Sequence, residues 1–195
     1  MKNIINEKRI NQIIAFVNSL KIQSKRFSEI IKEQNASVIK DFNQALTHSS
    51  DNKIINYEKL EFFGDAVLRL AASNFIEKKY PQMSVGERSE LRAQIVSDEW
   101  LTKLGKKINI EKVIIKGPKA LGDENSKNTI IGEATEALIG ALYKCFNSIQ
   151  EVNLWLDDIW EEEAEILLKA PYKFKAKSVL QAVSYTHLTL PTNRE

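Results

Sequence analysis

Tyr57-Glu-Lys-Leu-Glu-Phe-Phe-Gly-Asp-Ala-Val-Leu-Arg-Leu-Ala-Ala-Ser-Asn-Phe-Ile-Glu-Lys-Lys79 is made of good helix formers with few breakers, and Pro81 follows just past its end. Proline lacks an amide hydrogen and clashes with the preceding turn, so a helix through this stretch has to stop there. It is the longest helix the sequence predicts. Upstream, Ile10, Ile13, Ile14, Val17 and Leu20 recur at spacings of three and four, the stripe of an amphipathic helix. A second helical stretch runs through Phe27, Ile30 and Ile31. A third spans Val38 to Leu46 and ends in Thr47, His48, Ser49 and Ser50, residues that favour turns over helix. A loop continues to Asn56.

Downstream, Ser84 and Glu87 fit a capping box, and the helix they open is expected to continue through Leu91, Ile95 and Trp100 to Leu104, with Gly105 helping to end it. Gly117, Pro118, Gly122, Asp123, Asn125 and Ser126 crowd the interval from Ile108 to Lys127, which reads as a mobile surface loop. Helicity resumes at Thr129 and runs to Phe146. A last helix spans Val152 to Leu168 and is closed by Pro171. No alternation of apolar and polar residues is long enough for a sheet, so the expected fold is all-α.

A length of 195 residues allows one domain, or one domain plus a fragment. With 43% apolar and 28% charged residues the chain can bury a real core, which excludes a disordered or fibrous protein. Its apolar runs fall short of the roughly 18 residues of a membrane helix, so no membrane association and a cytoplasmic location are expected. The one cysteine, Cys145, excludes an internal disulfide and a cysteine-based zinc cluster; any metal chemistry must use oxygen or histidine. The net charge of +2 says little about partners, but its distribution is uneven. Residues 1–40 hold eight Lys or Arg against three Glu, whereas residues 151–165 hold seven acids and no base.

The chemistry lies in the acids. Glu58, Glu61 and Asp65 stand at i, i+3 and i+7, which a helix places within about 60° of arc. Such a stripe repels itself unless it faces solvent, a base or a cation. Leu60, Phe63, Val67 and Leu70 flank it, so the acidic edge is expected to border the core, and Gly64 lets another backbone approach beside Asp65. Glu133 and Glu136 repeat the device within Ile131-Gly-Glu-Ala-Thr-Glu-Ala-Leu-Ile-Gly140. Facing each other, the two edges would gather carboxylates suited to Mg²⁺ or Mn²⁺, hard ions that can activate water for phosphodiester cleavage. Spacing alone leaves a second reading open, that of exposed acids on two solvated helices.

The string Glu58-Lys-Leu-Glu-Phe-Phe-Gly-Asp-Ala-Val67 resembles the signature of the ribonuclease III family, enzymes that cleave double-stranded RNA. Ala45-Leu-Thr-His-Ser49 is similar to that family's upstream motif, Glu133 to Gly140 to its second acidic motif, and Leu91-Arg-Ala-Gln-Ile-Val96 also fits. The motifs cover residues 40–145, and the family's helical domain would extend the likeness from 8 to 168. The resemblance implies a ribonuclease III-type helical endonuclease that leaves 5′-phosphate and 3′-hydroxyl ends in ribosomal and messenger RNA precursors. It also implies Mg²⁺, with Mn²⁺ as a substitute, as cofactor. Glu61, Asp65, Glu133 and Glu136 would be metal ligands, Asp65 and Glu136 the catalytic residues, and Glu58 would touch RNA at the margin. Glu133 departs from the pattern, which has Asp there, and its extra methylene puts ligand geometry in question.

The resemblance further implies a homodimer, with Phe62 plugging a pocket of the partner subunit; the alternative for an aromatic on a helix is ordinary core packing. Residues 1–170 would be the catalytic domain, and residues 171–182 a linker and the start of a truncated double-stranded-RNA-binding domain, opening at Lys175-Ala-Lys-Ser-Val-Leu-Gln181. Absence of the rest of such a module would weaken RNA binding and favour activity at low salt. Residues 183–195 resemble a translated cloning adaptor and are expected to be a non-native tail. Lys116, Lys119 and Lys127 are candidates for phosphate contact. His48 is expected to be a structural hydrogen-bonding group, Cys145 a small core residue, and Glu161, Glu162 and Glu163 a solvated face. Gly117 to Gly122 has the spacing of a phosphate loop, but Asp123 stands where its lysine belongs, so no nucleotide cofactor is expected. A different class of function, a non-catalytic duplex-RNA scaffold on the same helices, is disfavoured by Glu61, Asp65 and Glu136.

Overall fold

The computed structural model describes residues 5–121 and 126–169, without the side chains of Lys119 and Leu121. The helices are α1 (Glu7–Ser19), α2 (Lys25–Lys32), α3 (Ala36–Ala45), α4 (Glu58–Lys79), α5 (Val85–Ile95), α6 (Asp98–Lys107), a short α7 (Pro118–Leu121), α8 (Lys127–Phe146) and α9 (Ile149–Lys169). Among the described residues the only β pairing is an isolated parallel bridge between Thr47 and Ile115, so the fold is all-α as expected. None of these helices is long and apolar enough to cross a membrane. The expected domain boundaries, the closing Pro171, the Lys175–Gln181 segment and the tail lie outside the described residues.

α8 is the centre. Ile130, Ile131, Ala134, Ala137, Leu138, Ile139, Ala141 and Leu142 are buried around most of its circumference, the pattern of a helix enclosed by others. α3, α4, α6 and α9 pack around it. α4 enters from a capped end, where Asn56 accepts the Glu58 amide at 3.0 Å. Glu58 and Glu61 in its first turn, and Lys78 and Lys79 in its last, complement the helix dipole. On α9, Trp160 is fully buried between Phe75 and Trp100, each 5.7 Å away between ring centres, and its indole nitrogen donates to the Ile95 carbonyl at 2.9 Å.

Four expectations need correction. The helix opened by the Ser84–Glu87 capping box stops at Ile95, and Ser97 caps a new one by accepting the Trp100 amide. Gly105 does not end that helix; it lies buried under Thr135 and Ile131, where a Cβ would collide with both. The interval from Ile108 to Lys127 is not simply a surface loop, because Ile110, Val113 and Ile114 sink into the core and Ile115 pairs with the Leu46–His48 strand-like segment. Glu161, Glu162 and Glu163 are not merely solvated; they bond Lys79, Lys107 and Lys103 at 2.6, 3.2 and 2.5 Å, tying α9 to α4 and α6.

Candidate active site

Two glycines govern how α4 meets α8. A Cβ at Gly64 would overlap the Glu136 carbonyl oxygen and lie 2.8 Å from its carbon; a Cβ at Gly140 would overlap the Leu60 carbonyl oxygen and lie 3.3 Å from the Gly64 Cα. The two backbones therefore touch without intervening side chains, an approach that only glycine permits here. The crossing falls beside the acidic steps of both helices. Glu61, Glu133 and Glu136 consequently line one cavity of about 730 Å³, whose far wall carries Asp98, Glu99, Thr102, Lys103 and Lys106 from α6, with Asn128 and Thr129 at the start of α8.

The electrostatics follow from this crowding. Burial, then the charges of Glu133 and Glu58, push the Glu61 carboxyl up to about 7. Burial also raises Glu136 to about 7, reinforced by Asp65, Glu61 and Asp98 and opposed by Arg69. Asp65 stands at the edge, where its Oδ1 receives the Arg69 Nε at 2.7 Å. Glu133 Oε2 accepts the Tyr57 hydroxyl at 2.5 Å. Tyr57 is held above the ordinary phenol range by burial first, and then by that bond and the neighbouring carboxylates.

Among the described residues no three His, Cys, Asp or Glu side chains are arranged, as they stand, to hold a metal ion. Asp65 gives an oxygen to Arg69, and Glu133 gives one of its two oxygens to Tyr57. The chemistry of the donors nonetheless fits a hard divalent cation: they are all carboxylate oxygens, their like charges repel one another, and burial together with that repulsion pushes two of them up to about 7.

The other candidates fall in several places. Glu58 is exposed at the cluster's margin. Lys116 and Lys127 sit at Glu111, 3.8 and 3.2 Å from its Oε1, and neither lines the cavity. Phe62 is 85% exposed, which overturns the core-packing alternative for it. Phe63 and Leu70 are also exposed, at 37% and 52%, so of the four flanking apolar residues only Leu60 and Val67 join the core. His48 is structural, as expected: its Nδ1 accepts the Ser50 amide at 3.0 Å. Cys145 packs at the core margin. Tyr57, Lys103 and Lys106 were not singled out from the sequence. Tyr57 sits immediately ahead of the acidic run, and the two lysines lie one helical turn apart on a helix whose separate start at Ser97 went unseen.

A family model described as Ribonuclease-III-like matches residues 40–153, which contain both acidic steps and the helix crossing. The chain belongs to the ribonuclease III family. A protein named Ribonuclease 3 from Prochlorococcus marinus is 46% identical over 179 residues, which cover 92% of this chain and 72% of that protein. Ribonuclease 3 2 from Synechocystis is 38% identical over 143 residues, 73% of this chain and 59% of that one. Among solved ribonuclease III structures, a nuclease domain from Campylobacter jejuni, described as flexible in the region involved in dimer formation, superposes with a TM-score of 0.55 at 25% identity. The match covers 82% of this chain and 95% of that domain. The ribonuclease III likeness thus extends over the helical body described above.

Proposed function

We propose that this chain hydrolyses phosphodiester bonds in double-stranded RNA at the α4–α8 crossing. Membership of the ribonuclease III family makes it an endoribonuclease. The observation that carries the residue assignment is the glycine crossing of α4 and α8, which brings Glu61, Glu133 and Glu136 to one cavity, with Asp65 close enough to raise Glu136. Glu61, Asp65, Glu133 and Glu136 would hold Mg²⁺, or Mn²⁺ in its place. Bound there, the cation would supply water activation and neutralise charge on the leaving oxygen. Asp65 and Glu136 are the catalytic residues in this reading, and Glu58 meets RNA at the margin.

The chain's own groups divide the work. Glu61 and Glu136, with carboxyls pushed up to about 7, would release protons as a cation arrives, so cation uptake near neutral pH would be proton-linked. Lys106, across the cavity, supplies positive charge opposite the acids, where an RNA phosphate would need it, while Lys103 on the same wall is held by Glu163. Lys116 and Lys127, which lie beside Glu111, and Lys119 are the residues proposed to meet the RNA backbone. Cleavage leaves 5′-phosphate and 3′-hydroxyl ends, on ribosomal and messenger RNA precursors in the cytoplasm. The chain acts as a homodimer through Phe62, whose exposed ring a single chain leaves uncovered.

Incubating an end-labelled hairpin RNA with the wild type and with Glu136→Gln, with and without Mg²⁺, tests this. Mg²⁺-dependent cutting by the wild type and its loss in the variant are expected. Duplex binding by both proteins with cutting by neither would replace the enzyme with an RNA scaffold.

A further inference from the structure

We propose that Tyr57 is a positioning residue that holds Glu133 in place for cation binding, with the Ala45–Ser49 segment as its support. This rests on the function proposed above. Glu133 carries one more rotatable bond than the aspartate the family pattern has there, so an unrestrained side chain would spread its oxygens over more positions. The Tyr57 hydroxyl restrains it, by donating to Oε2. That bond engages one of the two carboxylate oxygens, so Glu133 can be oriented by one and offer the other.

Tyr57 can serve this way because it is itself fixed. It is 2% exposed, and its ring meets the His48 ring edge to face, with centres 5.4 Å apart. Its amide donates to the Thr47 carbonyl at 3.0 Å. Thr47 is anchored in turn, its hydroxyl bonding the Asn43 carbonyl at 2.7 Å and its backbone paired with Ile115. His48 is steadied by Ser50, whose hydroxyl accepts the Gly117 amide at 2.9 Å. Among the described residues no hydrogen bond joins the Thr-His-Ser segment to the acids of the cavity. Through Tyr57 it still decides where one of them points, as groups behind a ligand commonly do.

The test uses the full chain and variants Tyr57→Phe, Glu133→Asp and the double variant, with Mn²⁺ binding followed by electron paramagnetic resonance without RNA, and melting measured alongside. Tyr57→Phe should weaken Mn²⁺ binding roughly tenfold. In the Glu133→Asp background, where the shorter carboxylate falls out of the hydroxyl's reach, the same change should have little effect. Wild-type affinity in Tyr57→Phe, or an equal loss in both backgrounds, overturns the proposal. A wild type that binds Mn²⁺ no better than Glu136→Gln overturns the proposed function first and this inference with it, a result read without any Tyr57 variant. Should Tyr57→Phe melt early, carbon-13 resonances of the tyrosine Cζ atoms in the unaltered chain report the same contact. Mg²⁺ must shift one of them, and Glu133→Gln must shift the same one; a resonance that answers neither refutes the role.

Discussion

Substituting Gly64 by alanine tests the geometry on which the site depends. The new Cβ would lie 2.8 Å from the Glu136 carbonyl carbon and overlap its oxygen, so α4 and α8 must part by more than an ångström to restore ordinary contact. The atoms it meets are backbone, which cannot swing aside as a side chain would. Overpacking of this kind costs about 3 kcal/mol. Alanine's better helix propensity returns about 1 kcal/mol, leaving a net loss of about 2 kcal/mol. For a domain of this size that lowers the melting temperature by about 4–8 °C. The separation also moves Glu61 and Asp65 away from Glu133 and Glu136, and displacements approaching 1 Å cost roughly a hundredfold in rate. Gly86→Ala is the control, because a Cβ there meets nothing within 4 Å. Thermal melting and hairpin cleavage, both well below either variant's transition, would read the two effects. A Gly64→Ala protein that melts within a degree of wild type and cuts at the wild-type rate would refute the crossing as the source of the site.

Other expectations follow from the same structure. The folded state raises Glu61 and Glu136 to about 7 from their ordinary 4.5, so it favours their protonated forms. Their contribution is fully present below about 4.5 and is lost as pH climbs through 7. Metal-free protein should therefore melt lower at pH 8 than at pH 5.5, other groups apart, and Mg²⁺ should narrow the gap; a rise in melting temperature across that window with chelator present would contradict the coupling. Phe62→Ala should leave the single chain's stability within about 0.5 kcal/mol, as for an exposed residue, while weakening dimer formation by about 4 kcal/mol, about 2 from each copy and roughly a thousandfold in all. Sedimentation equilibrium measures the second effect, and an unchanged association constant would remove Phe62 from the interface. The Cys145 thiol is pushed up to about 12, by burial first and by Asp41 next, so iodoacetamide at pH 8 should label it slowly until denaturant is added. Fast labelling of native protein would count against its packed position.

The fold was legible where local chemistry agreed with the tertiary outcome. The Ser84–Glu87 box forms both of its reciprocal bonds, and the long helix ends before Pro81 as proline requires. Legibility failed where one signal masked another. Ser97 with Asp98 and Glu99 is a helix start, but continuous helical spacing from Leu91 to Leu104 concealed it. Around Gly117, the turn-forming residues outweighed the Ile110, Val113 and Ile114 spacing that buries this segment. Phe62 illustrates a deeper limit: periodicity identifies an apolar position without saying whether the chain itself or a second copy covers it. The acids were found because their spacing repeats on two helices. Tyr57 was missed because its role depends on a partner 76 residues away, a separation no local pattern registers.

Trp160 gives the molecule an optical gauge. Its indole from α9 is wedged against rings of α4 and α6 and bonded to the end of α5, within 6 Å of a second tryptophan. Peeling α9 away would hydrate both of its tryptophans, Trp155 and Trp160, and uncouple Trp160 from Trp100, shifting emission to the red before the interior helices come apart. Detachment of the last helix can thus be watched with native light alone, without attaching a dye to the surface.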